Sequence, residues 1–255
     1  MFNLDKRILY IILTVMVLSN IVTKLNNRNS LLIMLVTLPA ILIAITFHEF
    51  AHAFAADKLG DDTPRNQGRL TLNPLAHIDP VGFALLIVAG FGWGKPVQIN
   101  PSRFKRNITM TKGEAIVSLA GPLMNFIIAI ITAIIMAFMF KYNWFSNVEG
   151  KAYSLIVIFL LELALINVSL GVFNLIPLPP LDGSKILSSV LPYNARSWFE
   201  RNSQIFYIVF VIIWITGIAG LIISPAIRGI TRGLFTVVGN IFNMNLKGIL
   251  ELFGL

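Results

Sequence analysis

The chain has 255 residues, 56% of them hydrophobic and 13% charged, with a mean hydropathy of +0.79. That balance excludes a water-soluble globule, which is nearer a quarter charged, and it excludes disorder, which needs low hydrophobicity. There is no cysteine, so disulfide frameworks, thiolate zinc sites, iron–sulfur clusters and thiol nucleophiles are excluded together, and the net charge of +8 must be located before it is interpreted.

A helix needs about 20 mainly apolar residues to cross the hydrocarbon core. Ile8–Val22 is short and follows Lys6 and Arg7, with no small-residue cleavage site after it, so it reads as a first span rather than a signal peptide. Leu31–Ala56 is the second span, apolar until its last two turns. Val81–Trp93 is apolar but too short to cross, and it holds Gly82, Gly90 and Gly92. It predicts a re-entrant or β-hairpin element tucked against the bundle. Ala115–Phe140, Tyr153–Phe173 and Ile205–Ile223 are the third, fourth and fifth spans, and Gly217 and Gly220 read as helix-packing positions in the last. From Ala226 to Leu255 the polar residues Arg228, Arg232, Thr236, Asn240, Asn243, Lys247 and Glu251 recur at three- and four-residue spacing. One polar helix face predicts an interfacial amphipathic helix, with a sixth span as the alternative. The expected fold is an all-α polytopic membrane protein of five to six transmembrane helices, a single domain with its working core over residues 30–190.

Orientation comes from the cations. The connection between the second and third spans holds Lys58, Arg65, Arg69, Lys95, Arg103, Lys105, Arg106 and Lys112, whereas the next connection holds only Lys141 and Lys151. The positive-inside rule puts the long connection and the N-terminus in the cytoplasm. Topology thus accounts for the basic charge, and no aromatic-interleaved basic motif points to nucleic acid.

The second span ends in His48-Glu49-Phe-Ala-His52, an H-E-x-x-H pattern. Positions i and i+4 share a helix face, so both imidazoles reach one metal ion. Glu49 sits one residue round, where its carboxylate can take a proton from a water that zinc has brought to a pKa of roughly 7. Such a pattern can arise by chance in a charged soluble helix. Here, two of only three histidines stand at the end of an apolar span, where ionisable groups are costly.

Zinc needs a third protein ligand. The position six residues after His52 is Lys58, and no glutamate occurs between Phe50 and Glu114. Asp57, Asp61, Asp62, His77, Asp79, Glu162 and Asp182 remain, and Asp182 is favoured. It follows Pro177, Pro179 and Pro180, which break the end of the fourth span and free its carbonyls, tolerated at membrane depth only under protein or in a wet cavity. The topology also brings His48, His52 and Asp182 to the cytoplasmic ends of their helices. Glu162 lies about 20 residues earlier, roughly 30 Å along a helix, and reads as a bundle-pairing or protonated group. His77, in a proline-flanked loop, reads as a turn residue, with a water-positioning, substrate or auxiliary metal role as the alternative.

Together, His48-Glu49-x-x-His52, Gly121-Pro122-x-x-Asn125 and Asn174-x-x-Pro177-x-x-x-Leu181-Asp182-Gly183 resemble the site-2 protease family of intramembrane zinc metalloproteases. The resemblance is to its compact microbial branch, without PDZ or CBS domains. It implies a multi-pass cell-membrane enzyme with one zinc ion on His48, His52 and Asp182, Glu49 as general base, and a transmembrane protein as substrate. Asn125 and Asn174 would be polar helpers at the oxyanion or the substrate backbone. Val81–Trp93 would offer a strand edge to an unwound substrate. A divalent-metal transporter and a non-catalytic membrane-protein binder are the alternatives. The first would be expected to show repeated broken helices, and only one break is visible.

Overall fold

The computed structural model describes residues 28–83, 94–145, 148 and 150–252, together with 18, 19 and 22. The expected first span, Ile8–Val22, lies outside the described residues apart from those three positions, and so does most of the expected hairpin, Val81–Trp93.

The order of the main helices is α1 (Arg28–Leu59), α2 (Met110–Lys141), α3 (Gly150–Asn174), α4 (Asp182–Val190), α5 (Tyr193–Arg201), α6 (Ser203–Ile215), α7 (Ile218–Phe242) and α8 (Lys247–Leu252). Among the described residues, α1, α2, α3 and α7 are long and apolar enough to cross a membrane. The first three overlay the second, third and fourth expected spans with a few residues added at each end.

Small residues set how α1 packs. Ala40, Ala44, Ala51 and Ala56 are buried at a spacing that keeps them on one face, and His48 and His52 continue that face. Helices in lipid associate through close packing rather than water exclusion, so a small-residue face lets α2 and α3 approach. Gly171 does the same for α3: a Cβ there would stand 3.0 Å from the Phe126 ring of α2. At the other end of the bundle, Met136, Met139, Leu160, Leu161, Phe235 and Val238 interlock between α2, α3 and α7.

The C-terminal third corrects two expectations. Ile205–Ile223 is not one span: Gly217 has φ +74°, in the left-handed region that glycine tolerates, and it separates α6 from α7. At 13 residues, α6 is about 20 Å long, short of the roughly 30 Å of hydrocarbon. The helix expected from Ala226 begins at Ile218 and stops at Phe242, because Asn243 turns the chain with φ +56°. Residues beyond it fold back, burying Leu246 and Leu250 in the apolar cluster. Of the polar stripe, Arg228, Arg232 and Asn240 are exposed, while Thr231, Phe235 and Val238 form the buried face.

The connection between α1 and α2 is a folded cap. Asp61 is fully buried and accepts from the Thr63 and Asn100 N–H groups at 3.0 and 2.6 Å. Arg65 grips Asp57 through two 2.8 Å bonds, and Arg103 pairs with Asp62. An antiparallel bridge joins Ile78 to Gly94, bringing together the two ends of the segment that holds the expected hairpin.

Candidate metal centre

His48 and His52 project from the C-terminal half of α1 toward α2, where Gly121 makes room for them. A Cβ at Gly121 would stand 2.4 Å from His52 Nε2 and 2.7 Å from His48 Cε1. Asp182 opens α4 after the proline-rich turn at residues 175–181. Gly183 lets that turn close, since a Cβ there would meet the Leu175 and Ile176 carbonyls at 2.4 Å.

Three atoms converge. His48 Nε2 and His52 Nε2 lie 3.0 Å apart, and Asp182 Oδ2 is 3.3 and 3.2 Å from them. These are the separations of neighbouring ligands on one ion held at roughly 2.0–2.1 Å. The three residues form a group able to hold a metal ion, and His77 and Glu162 are not part of it.

Hydrogen bonding fixes the tautomers. His52 Nδ1 lies 2.7 Å from the Val117 carbonyl, which can only accept, so that nitrogen carries the proton and Nε2 presents a lone pair. For His48 the logic runs through two amides. Asn167 Nδ2 donates to the Leu163 carbonyl at 2.8 Å, so its Oδ1 faces Asn125 and accepts from Asn125 Nδ2 at 2.9 Å. Asn125 Nδ2 also donates to the Ala44 carbonyl at 3.1 Å, which turns its Oδ1 toward His48 Nδ1 at 2.7 Å. His48 Nδ1 is therefore the donor and its Nε2 is bare. With both rings neutral, two lone-pair nitrogens and a carboxylate oxygen then face one another. Asp182 Oδ2 is also buried without a hydrogen-bond donor among the described residues. Such a donor set repels itself unless a cation sits within it.

Asn125 is fully buried, and both its amide hydrogens are engaged, so it has none to offer a substrate. Asn174 is half-buried and donates to the Leu170 carbonyl of its own helix at 3.0 Å. Sequence reading missed Asn167, which is fully buried; the one amide within the apolar run Tyr153–Phe173 was the available signal.

The folded cap supplies the rest of the surroundings. Glu49 Oε2 accepts from the Val97 N–H at 3.0 Å, and Arg69 Nη2 is 3.9 Å away. His77 is fully buried, and its Nε2 donates to the Thr71 carbonyl at 2.7 Å. Burial pushes its imidazole below the ordinary value, against the pull of that bond. Burial likewise lowers the Arg69 guanidinium, against the attraction of Glu49.

Helices long and apolar enough to cross a membrane bury two histidines and a carboxylate that could hold a metal ion, with a glutamate beside them, which is the arrangement a membrane metallohydrolase needs. Residues 36–217 match the model of Peptidase family M50. The chain belongs to that family and is a zinc metalloprotease of the site-2 type. It is 34% identical over 207 residues to "Putative zinc metalloprotease YwhC" of Bacillus subtilis, covering 79% of this chain and 90% of that one. It is 31% identical over 180 residues to "Putative zinc metalloprotease Rip2" of Mycolicibacterium smegmatis, covering 69% and 64%. With "Zinc metalloprotease MJ0392" of Methanocaldococcus jannaschii it shares 39% over 80 residues, 31% of this chain and 20% of that one. No solved structure matches the chain significantly. The transporter and binder alternatives have no counterpart among these matches.

Proposed function

We propose that this chain hydrolyses peptide bonds of transmembrane proteins within the bilayer, with Glu49 as general base and His48, His52 and Asp182 as the zinc ligands. The observation that carries the reading is the convergence of Nε2, Nε2 and Oδ2 with both Nδ1 protons already committed. Zinc in that position supplies a Lewis acid that activates water near neutral pH and polarises a carbonyl.

The chain's own groups do the remainder. Glu49 takes the proton of the attacking water and returns it to the leaving amine. Asn125 and Asn167 hold His48 in the ligating tautomer, as an outer layer of hydrogen bonds commonly does at metal sites. The oxyanion or substrate-backbone role stays with Asn174, while His77 serves the cap rather than the substrate. A transmembrane helix hides its carbonyls in its own hydrogen bonds, so cleavage needs an extended segment. The Val81–Trp93 segment, flanked by the Ile78–Gly94 bridge, would be the part of the chain to accept one by strand addition. The excess of lysine and arginine between α1 and α2 supports a cytoplasmic position for the cap and site in the cell membrane.

The test is cleavage of a single-span model substrate co-reconstituted in liposomes. Wild type cuts it and loses the activity on chelation, and zinc restores it. Glu49→Gln keeps its zinc and does not cut. Unimpaired cleavage by Glu49→Gln would refute the base assignment.

A further inference from the structure

Arg69 is 3% exposed, which is unusual for a guanidinium and costly unless its donors are used. It donates through Nη1 to the Ala76 carbonyl and through Nη2 to the Lys95 carbonyl. Those carbonyls belong to the two sides of the cap, which Ile78 and Gly94 also join and which the Lys95 N–H binds again at the His77 carbonyl, 2.8 Å away. One planar fork therefore fastens two backbone segments 19 residues apart in sequence (76 and 95). Two residues beyond Lys95, the Val97 N–H donates to Glu49 Oε2 at 3.0 Å, and Arg69 Nη2 stands 3.9 Å from the same oxygen. Gly94 keeps the approach close: a Cβ there would stand 2.9 Å from Ile45 Cγ2 and 3.8 Å from Glu49 Oε1.

We propose that Arg69 is a positioning residue for Glu49, clamping the Ala76 and Lys95 carbonyls so that the following backbone delivers the Val97 N–H to the glutamate carboxylate. The inference rests on the reading of Glu49 as general base. A carboxylate in an open site has several rotamers, and only some of them place an oxygen on the attacking water. A backbone donor on Oε2 selects among them, leaving Oε1 for the proton. Arg69 is almost wholly buried, and its hydrogen bonds and ion pair among the described residues go to Ala76, Lys95 and Glu49 rather than to His48, His52 or Asp182, so its loss should weaken the chemical step and spare both binding events.

Arg69→Lys keeps the charge but cannot span two carbonyls, and Val97→Pro removes the N–H at the working end of the device. In the liposome assay each is expected to lower kcat roughly 10- to 100-fold, the size of an ångström-scale misplacement, with KM and one zinc per chain retained. Because both act through one link, the double variant should be no slower than the slower single. Wild-type kcat in Arg69→Lys, a rise in KM alone, or multiplied losses in the double variant would each overturn the proposal. Should Arg69→Lys fail to fold or hold zinc, Val97→Pro decides: a kcat loss at unchanged KM supports the link, and unchanged kcat refutes it. Glu49→Gln run alongside separates the two levels, since full activity there would refute the base assignment rather than the clamp.

Discussion

The two ends of the bundle are packed by different chemistry. At the metal end, α1, α2 and α3 bury two imidazoles and two carboxamides, and glycine and alanine let the helices approach closely enough for those groups to bond. At the far end, α2, α3 and α7 bury methionine, leucine and phenylalanine, with Leu246 and Leu250 folded back to finish the cluster. Polar groups inside a membrane protein are stabilised only when each finds a partner, whereas apolar side chains need only fit. A small change at the metal end therefore leaves an orphaned donor or a displaced ligand. At the far end the same change leaves a gap.

The largest effect is expected for Asp182→Ala or His52→Ala. Removal of one of three ligands should abolish zinc retention and cleavage together, as read by metal analysis and the liposome assay. Gly121→Ala and Asn125→Leu come next. The first drives a methyl group into both imidazoles, and the second frees the His48 ring. Each should weaken zinc binding by about 10- to 100-fold in a chelator competition, the size found when a ligand's outer partner is lost. Asn167→Leu should do less, because it acts on His48 only through Asn125.

Phe235→Ala tests the other end. It should lower stability in detergent by on the order of 2 kcal/mol, less than in a water-soluble core because lipid replaces part of the lost contact. Zinc content and kcat should not move. A fall in zinc content would show that the two ends are coupled and would break the comparison.

The smallest expected effect concerns pH. The folded cap lowers the His77 pKa below its unfolded value of about 6.5. The neutral form is the one the fold favours. Its contribution to stability is thus present above about 6.5 and is lost as pH falls through the folded value. Against His77→Gln, which can still donate to Thr71, wild type should lose more of its thermal stability between neutral pH and pH 5. Parallel pH curves would count against a buried neutral imidazole.

Much of the metal end was legible in the sequence, because its chemistry is written in rare residues. Two of the three histidines at helical spacing, and an aspartate behind three prolines, cannot be mistaken for lipid-facing filler. The hydropathy of α1 to α3 likewise carries their positions. The break at Gly217 was not legible, because threonine and glycine barely alter the hydropathy of an apolar run, and only the positive φ ends the helix. Arg69 was counted with the loop cations that set orientation. Its burial depends on the carbonyls of Ala76 and Lys95, which no side-chain pattern reveals. Asn125 was noticed within a motif and Asn167 was not. What links them is a hydrogen-bond direction that starts from the Leu163 carbonyl, a backbone atom that sequence does not distinguish.

The central claim is that His48, His52 and Asp182 hold the metal while Glu49 stands beside it without ligating. Metal analysis of the detergent-purified wild type, Glu49→Gln and Asp182→Ala after zinc loading and desalting tests it most directly. The account predicts about one zinc per chain in the first two and almost none in the third. Full zinc in Asp182→Ala, or its loss in Glu49→Gln, would contradict the site as described.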